Sequence, residues 1–443
     1  MDRPLREVPA APGRLPILGH GLALAHAPLR FLESLRISGE IVRIDVGAWP
    51  VYMLTSPGLV HEALVAYAPY LVRGRIYNRA RPLFGNGLAV SDGELHKQQR
   101  RLVQPAFRPQ RIAAYADIMS RRASELTRSW RAGQQVAFDR AMHELTLQVV
   151  VSALFSAEID RSVSAELLRL MRVIMQGIAL RAVLPRRLDS WPLPVNRRFT
   201  AAATRLRQMV DEIIMAGRGQ NRGDLLSLLL AAHEADGGAI PVSQIRDEAI
   251  SLLVAGTETP ATTLAWTFHE LSRRPEIERR LHAEIDTVVG DGPIGIAELE
   301  KLEYTQRVLM EVLRLYPVLM FTRRTIAEIA LDGVCIPSGT EIAYSPYALN
   351  RDPDLYPDPT GFDPDRWLPE RDAHLPPRTF TPFGSGHHRC IGEAFAWTEM
   401  SILVATITRR WRLRPADERP VRKVVAEVPR PDALPMVLES RRR

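Results

Sequence analysis

Apolar positions along the chain change their period twice. Near the start, Glu40–Val46 alternates, with Val42, Ile44 and Val46 set against Ile41, Arg43 and Asp45. Val51–Thr55 follows a Trp49-Pro50 turn, and the pair predicts a hairpin. Before it, Val8 to Gly19 is rich in proline and glycine and reads as an extended arm. From residue 94 to 315 the period becomes helical: Asp211–Ala216, Asp224–Glu234, Gln244–Arg274 and Pro275–Val289 place apolar residues at i, i+3 and i+4. Gly217–Gly223 is a short polar loop, and Pro185–Pro194 is a proline-bounded surface connection with basic flanks. After Pro317, strand-like pieces (Thr325–Leu331, Val334–Ile336, Glu341–Tyr344) sit between Gly and Pro turns. The proline-dense stretch Asp352–Pro382 has little periodicity, which is expected only where such a stretch is functional or packed. Helical spacing resumes over Gly392–Trp411. The pattern predicts a mainly α chain with small β-sheets, of the α+β class.

Composition narrows the function. The chain has 443 residues, 46% hydrophobic and 25% charged, the proportions of a soluble globular protein. Two cysteines exclude a disulfide-stapled scaffold and a four-cysteine zinc site. They fit a reducing, cytoplasmic compartment. No apolar run approaches the ~18 residues of a membrane span, and residues 1–16 lack the apolar stretch of a signal peptide. Lys and Arg outnumber Asp and Glu by 58 to 51, a net charge of +7. That surplus suits an acidic partner but is too diffuse for nucleic acid. Gly217-Arg218-Gly219 lacks the third glycine of a dinucleotide loop and follows a helix. Arg441–Arg443 is expected to be a frayed end.

The most informative segment is Phe383-Gly384-Ser385-Gly386-His387-His388-Arg389-Cys390-Ile391-Gly392. A cysteine leaves a glycine-rich turn just before a helix. Glycines permit positive φ and close backbone approach to a flat ligand. A helix N-terminus stabilises a thiolate, and free N–H groups tune its electron donation. This is the setting of an axial thiolate on haem iron. Phe383, Gly386, His388, Cys390 and Gly392 fit the signature Phe-x-x-Gly-x-(Arg/His)-x-Cys-x-Gly, and Ala396 fits the small residue a turn later. The sequence therefore resembles the cytochrome P450 family. A zinc cluster of His387, His388 and Cys390 is a weak rival, since neighbouring side chains rarely share one tetrahedral metal. Cys335, in Gly333–Pro337, reads as a core residue of a short strand.

Three further constellations carry the resemblance. Glu311-Val312-Leu313-Arg314 sits in a helix apolar nearly all round, so its charges are expected to be buried and to need several partners. It matches the family's Glu-x-x-Arg motif, and Arg366 of Phe362–Trp367 is the expected third, structural member. Ala255-Gly256-Thr257-Glu258-Thr259 matches the oxygen-activation motif. Pro260 removes an N–H and clashes with the Gly256 carbonyl, which predicts a helix kinked or opened at Gly256, with room for dioxygen and a water. Glu258 and Thr259 would then deliver protons. The competing reading of a mid-helix threonine is back-bonding to a carbonyl. Finally, His96 and Arg100 share a helix face at i and i+4. The resemblance makes them, with His388 and one of Arg323 and Arg324, preferably Arg323, the partners of the haem propionates.

By resemblance the whole chain, 1–443, is a single P450 domain with one haem b between a long central helix and the cysteine loop. Its parts are a proline-rich arm (1–20), β-rich portions (21–93 and 318–350), a helical portion (94–317), a meander and cysteine-ligand loop (351–389), and a haem-side helix with C-terminal strands (390–443). The implied activity is monooxygenation: one atom of O2 enters a lipophilic small molecule, with Cys390 as iron ligand, Glu258 and Thr259 catalytic, and Ala255 and Gly256 lining the haem. Leu83, Phe84, Leu88, Leu253, Val254 and Val318–Phe321 are the expected pocket lining, apolar and without a charged anchor. Gln104–Phe107, Tyr344–Tyr347 and Phe362–Glu370 resemble actinobacterial members that oxidise cyclic terpene hydrocarbons, which implies a sesquiterpene-like substrate. A fatty-acid or macrolide hydroxylase of the same family, and a non-catalytic haem-thiolate sensor, are the alternatives. The chain holds no flavin or iron–sulfur module, so the resemblance implies a monomer fed by a ferredoxin and ferredoxin reductase, docking at Arg100, Arg101, Arg108 and Arg389.

Overall fold

Alternate residues of a strand point to opposite faces, and here both faces are covered. A computed structural model describes residues 7–441 except 48, 184–185, 218–221, 236–240, 291 and 293. The readings of residues 1–6, of most of the Gly217–Gly223 loop, of Pro185 and of the last two residues lie outside the described residues. The amino-terminal region runs α1 (Gly21–His26), α2 (Pro28–Ser34), β1 (Ile41–Val46), β2 (Trp49–Leu54), α3 (Pro57–Val65), β3 (Leu71–Arg73) and α4 (Arg75–Phe84). It is therefore mixed rather than β-rich. The hairpin forms, but Trp49 and Pro50 belong to β2 itself, and the chain reverses beside Gly47, whose φ of +63° an L side chain resists.

The helical portion follows: α5 (Gly93–Val103), α6 (Pro109–Ser129), strand β4 (Gln135–Ala137), α7 (Phe138–Phe155), α8 (Arg161–Val183), α9 (Pro194–Gly217), α10 (Leu225–Ala235), α11 (Val242–Ser272), α12 (Pro275–Val288), α13 (Ile296–Leu299) and α14 (Glu303–Leu315). Next come β5 (Phe321–Thr325), β6 (Ile329–Leu331), β7 (Val334–Ile336), β8 (Glu341–Tyr344), α15 (Pro346–Leu349) and the short α16 (Pro369–Asp372). The chain closes with α17 (Glu393–Arg410), β9 (Trp411–Pro415), β10 (Lys423–Val424), β11 (Arg430–Pro431) and β12 (Pro435–Ser440). The expected strand Thr325–Leu331 is divided between β5 and β6.

The largest sheet has the order β1-β2-β8-β5-β3, with β2 and β8 parallel and the other pairs antiparallel. Ile41, Leu54, Ile342 and Tyr344 enter one apolar cluster and Val42, Ile44, Met53 and Ala343 another. Burial on both faces gives these strands more apolar residues than strict alternation allows. The main core is helical: α11 packs on α7, α9, α14 and α17, and α17 packs on α6. Cys335, on β7, is only half-buried rather than in the core.

Candidate active site: the Cys390 loop and the middle of α11

Cys390 lies between a 3₁₀ turn over Gly386–His388 and the start of α17. Its N–H donates to the Phe383 carbonyl at 2.9 Å, closing the loop. Gly386, at φ +69°, must be glycine, because a Cβ there would lie 2.3 Å from the Leu64 carbonyl oxygen of α3. That close approach is to protein backbone. The Cys390 side chain keeps an accessible surface, yet protein surrounds it enough that burial pushes its thiol above the ordinary 9.0. The N–H of Gly392 and the charges of Arg100 and Arg389 pull the other way without prevailing. A helix-end depression of this thiol, expected from sequence, is thus outweighed by desolvation.

Opposite faces of strand β5 separate the two arginine candidates. Arg323 is cross-strand from Arg73 of β3 and is 5% exposed. It stands within electrostatic reach of His388, as Arg73 does of both His96 and His388. The His96 and His388 rings are 4.4 Å apart between centroids. Burial, aided by His388 and Arg73, drives His96 down to about 3; burial, with Asp92 opposing and Arg73 and Arg323 assisting, takes His388 down to about 4. His388 Nε2 is 3.4 Å from Asp92 Oδ1 but too poorly aligned to be satisfied, while Asp92 Oδ1 accepts the Arg73 N–H at 2.8 Å. Arg73, which sequence reasoning missed, donates to the Ser91 and Leu88 carbonyls. Arg100 donates to the Arg389 carbonyl at 2.8 Å, so it reaches the cysteine loop. Of the expected docking patch, Arg101, Arg108 and Arg389 are exposed, Arg389 being paired with Glu393 at 2.7 Å, and Arg100 is half-buried.

Helix α11 runs uninterrupted through Pro260. Thr259 Oγ1 donates to the Ala255 carbonyl at 2.9 Å, the back-bonding geometry. Gly256 does not open a space: a Cβ there would lie 2.8 Å from Val150 Cγ2 of α7, so its smallness lets two helices approach. Thr146 of α7 donates to the Thr257 carbonyl at 3.0 Å, and His143 Nε2 lies 3.4 Å from Glu258 Oε2. Positions 143, 146 and 150 form one stripe that grips 256 to 258. Burial raises the Glu258 carboxyl, but His143, with Arg430 and Arg172, holds it below 4.5; burial lowers His143, but Glu258 and Asp139 hold it above 6.5. Of the expected pocket residues, Leu83, Phe84, Leu253 and Val254 join the helical core, whereas Leu319 and Met320 pack against the sheet.

Haem fits these residues. Ala255 keeps exposed surface in mid-helix while Leu253, Val254 and Thr257 are buried, as Cys390 does on its loop. A flat group held between α11 and the loop would cover both. The thiol suits iron, and the cationic surplus of Arg73, Arg100 and Arg323, with an unsatisfied His388 nitrogen, suits two carboxylates.

The cytochrome P450 family model matches residues 9–434. The chain belongs to the cytochrome P450 family. It is a haem-thiolate monooxygenase. It is 42% identical to cyclooctat-9-en-7-ol 5-monooxygenase of Streptomyces melanosporofaciens over 97% of this chain and 95% of that protein. Identity is 41% to cyclooctatin synthase of the same organism (91% and 90% covered) and 36% to pentalenene oxygenase of Streptomyces avermitilis (97% of each). Among the described residues, no helix is long and apolar enough to cross a membrane.

The structural motif is complete. Glu311 and Arg314 are fully buried and joined by bonds of 2.9 and 2.7 Å. Arg366 approaches Glu311 at 3.5 Å, Trp367 Nε1 donates at 3.0 Å, and the Asp363 N–H donates at 3.0 Å. Arg314 also donates to the carbonyls of Asn350, Pro359 and Gly361.

Proposed function

We propose that this P450 hydroxylates a cyclic terpenoid, either a hydrocarbon or one already carrying a single hydroxyl, with electrons from a separate ferredoxin and its reductase. The supporting observation is full-length similarity to proteins named for pentalenene and cyclooctat-9-en-7-ol oxidation. Cys390 would hold the iron, with His96, Arg73, Arg323 and His388 facing the propionates. Bound haem supplies the oxygen chemistry, driven by thiolate donation. The chain's part is to exclude water and move protons. Thr259 Oγ1, donating to Ala255, keeps lone pairs free to accept from a water. Glu258, held ionised against His143, brings protons to it from the α7 side. Arg101 and Arg108 offer an acidic ferredoxin a contact.

A panel of cyclic terpenes and fatty acids, followed by the spin-state shift of the Soret band and by product mass, tests the substrate. A terpene should shift the band and gain one oxygen atom; turnover of fatty acids alone overturns the reading. Thr259→Ala should consume electrons with at least a several-fold lower yield of product. Unchanged coupling removes Thr259 from the proton path.

A further inference from the structure

A cavity of about 850 Å³ lies between β2, α4, the end of α8, α9 and β5. None of the haem-facing candidates lines it. Five arginines do: Arg75, Arg79, Arg181, Arg207 and Arg324, with Asp189 the one lining carboxylate. Arg324 faces this cavity because it follows Arg323 on β5 and so points to the other side of the strand.

Three of the guanidiniums are stacked on aromatic rings, and Arg207 donates to the Leu83 carbonyl at 3.3 Å. Arg75 and Arg79 stack over Trp49 at 5.6 and 5.8 Å. Arg181, 7% exposed, lies 3.7 Å over the Phe199 ring. Stacking orients a guanidinium but supplies no counter-charge. Arg79 is 3.7 Å from Asp189, the same carboxylate that acts on Arg181. Two more carboxylates stand behind the lining: Glu341 at 3.7 Å from Arg75, and Asp247 within reach of Arg207. Among the described residues, the five lining guanidiniums outnumber the carboxylates that face them, and Asp247 is shared with Arg246. Arg207 Nε is buried with no hydrogen-bond partner. Arg79 and Arg181 are held out of water and share the single carboxylate of Asp189; buried cations require anions, and Arg forks match phosphate oxygens in pairs. The remaining wall is apolar: Trp49, Pro82, Phe199 and Ala203.

We propose that this cavity binds a phosphate or diphosphate group carried on an apolar body. The proposal does not rest on the terpenoid reading, since the site and the Cys390 loop are different surfaces. Two sources share that chemistry, a soluble alkyl diphosphate and an anionic phospholipid headgroup.

The test uses the haem-loaded enzyme. Calorimetric titration with geranyl diphosphate, inorganic pyrophosphate and geraniol separates head from body, and sedimentation with phosphatidylglycerol or phosphatidylcholine vesicles tests the lipid source. Geranyl diphosphate is expected to bind saturably, pyrophosphate more weakly, and geraniol not to displace it. The double variant Arg79→Gln/Arg324→Gln should lose at least about tenfold in affinity, and the single Arg324→Gln less, with the reduced carbon monoxide spectrum retained as evidence of folding. Arg128→Gln, exposed on α6, should bind as the parent does. Vesicle binding that requires phosphatidylglycerol and falls in the double variant, without binding of geranyl diphosphate, assigns the headgroup source. Absence of saturable binding to every phosphate probe, or equal binding by parent and double variant, overturns the proposal.

Discussion

Two buried charged clusters in this P450 differ in what surrounds them. Around Glu311 the chain supplies its own answer: each carboxylate oxygen receives protein donors and Arg314 finds three carbonyls. Around His96 and His388 it supplies cations, with Asp92 the acid that touches His388 and that N–H left unmet. A closed network ties α14 to the meander and ends there. An open one with cations in excess has affinity to spare, and its shape describes the group that completes it. Burial and motif spacing look alike in the two clusters; the count of partners tells them apart.

The sharpest way to break this comparison is Glu311→Ala. It strands Arg314, Arg366 and Trp367, and should cost about 3–5 kcal/mol, much of a typical stability of ~5–15 kcal/mol. Soluble yield and denaturant unfolding would show it. Arg323→Gln should instead leave the apoprotein within about 1 kcal/mol of the parent while haem is lost to a scavenger globin about 10–100-fold faster, the worth of one charge-assisted bond. Equal losses of fold in both variants would dissolve the distinction.

The α7–α11 contact is intermediate, part packing and part charge. Gly256→Ala should destabilise by about 1–3 kcal/mol through overpacking, and Val150→Ala should recover most of it in the double mutant. Failure of that rescue would place the clash elsewhere. The smallest effect is His143→Gln. The raised histidine contributes fully below 6.5 and less as pH rises through its folded value. The lowered Glu258 contributes above 4.5 and loses this as pH falls through its own. The stability gap between parent and variant should therefore be widest between pH 4.5 and 6.5 and narrow above it, as thermal unfolding across pH would record.

What could be read beforehand follows the same physics. Glu311, Arg314 and Arg366 were legible because charges inside an apolar helix demand partners, and Cys390 because a turn and a helix start bracket it. Arg73 was not, since it lies on a three-residue strand whose partner, Arg323, is far along the chain. Strand β4 was hidden likewise, pairing only with the terminal β12. Gly256 misled: a small residue beside a proline reads as an opening, but here it serves close packing. For Thr259 the bland alternative, back-bonding, describes the hydroxyl. His143 carries no local signal, because its meaning comes from a glutamate on another helix.

The stripe on α7 has a consequence for anyone who would retool this enzyme. Val150, Thr146 and His143 touch Gly256, Thr257 and Glu258 in turn, so one rod sets both the seat and the charge of the motif. A mutant library drawn only around the substrate would leave that rod untouched. If Glu258 and Thr259 carry the proposed proton path, changes on α7 would retune coupling efficiency from behind the motif, a dial that a substrate-centred library never reaches.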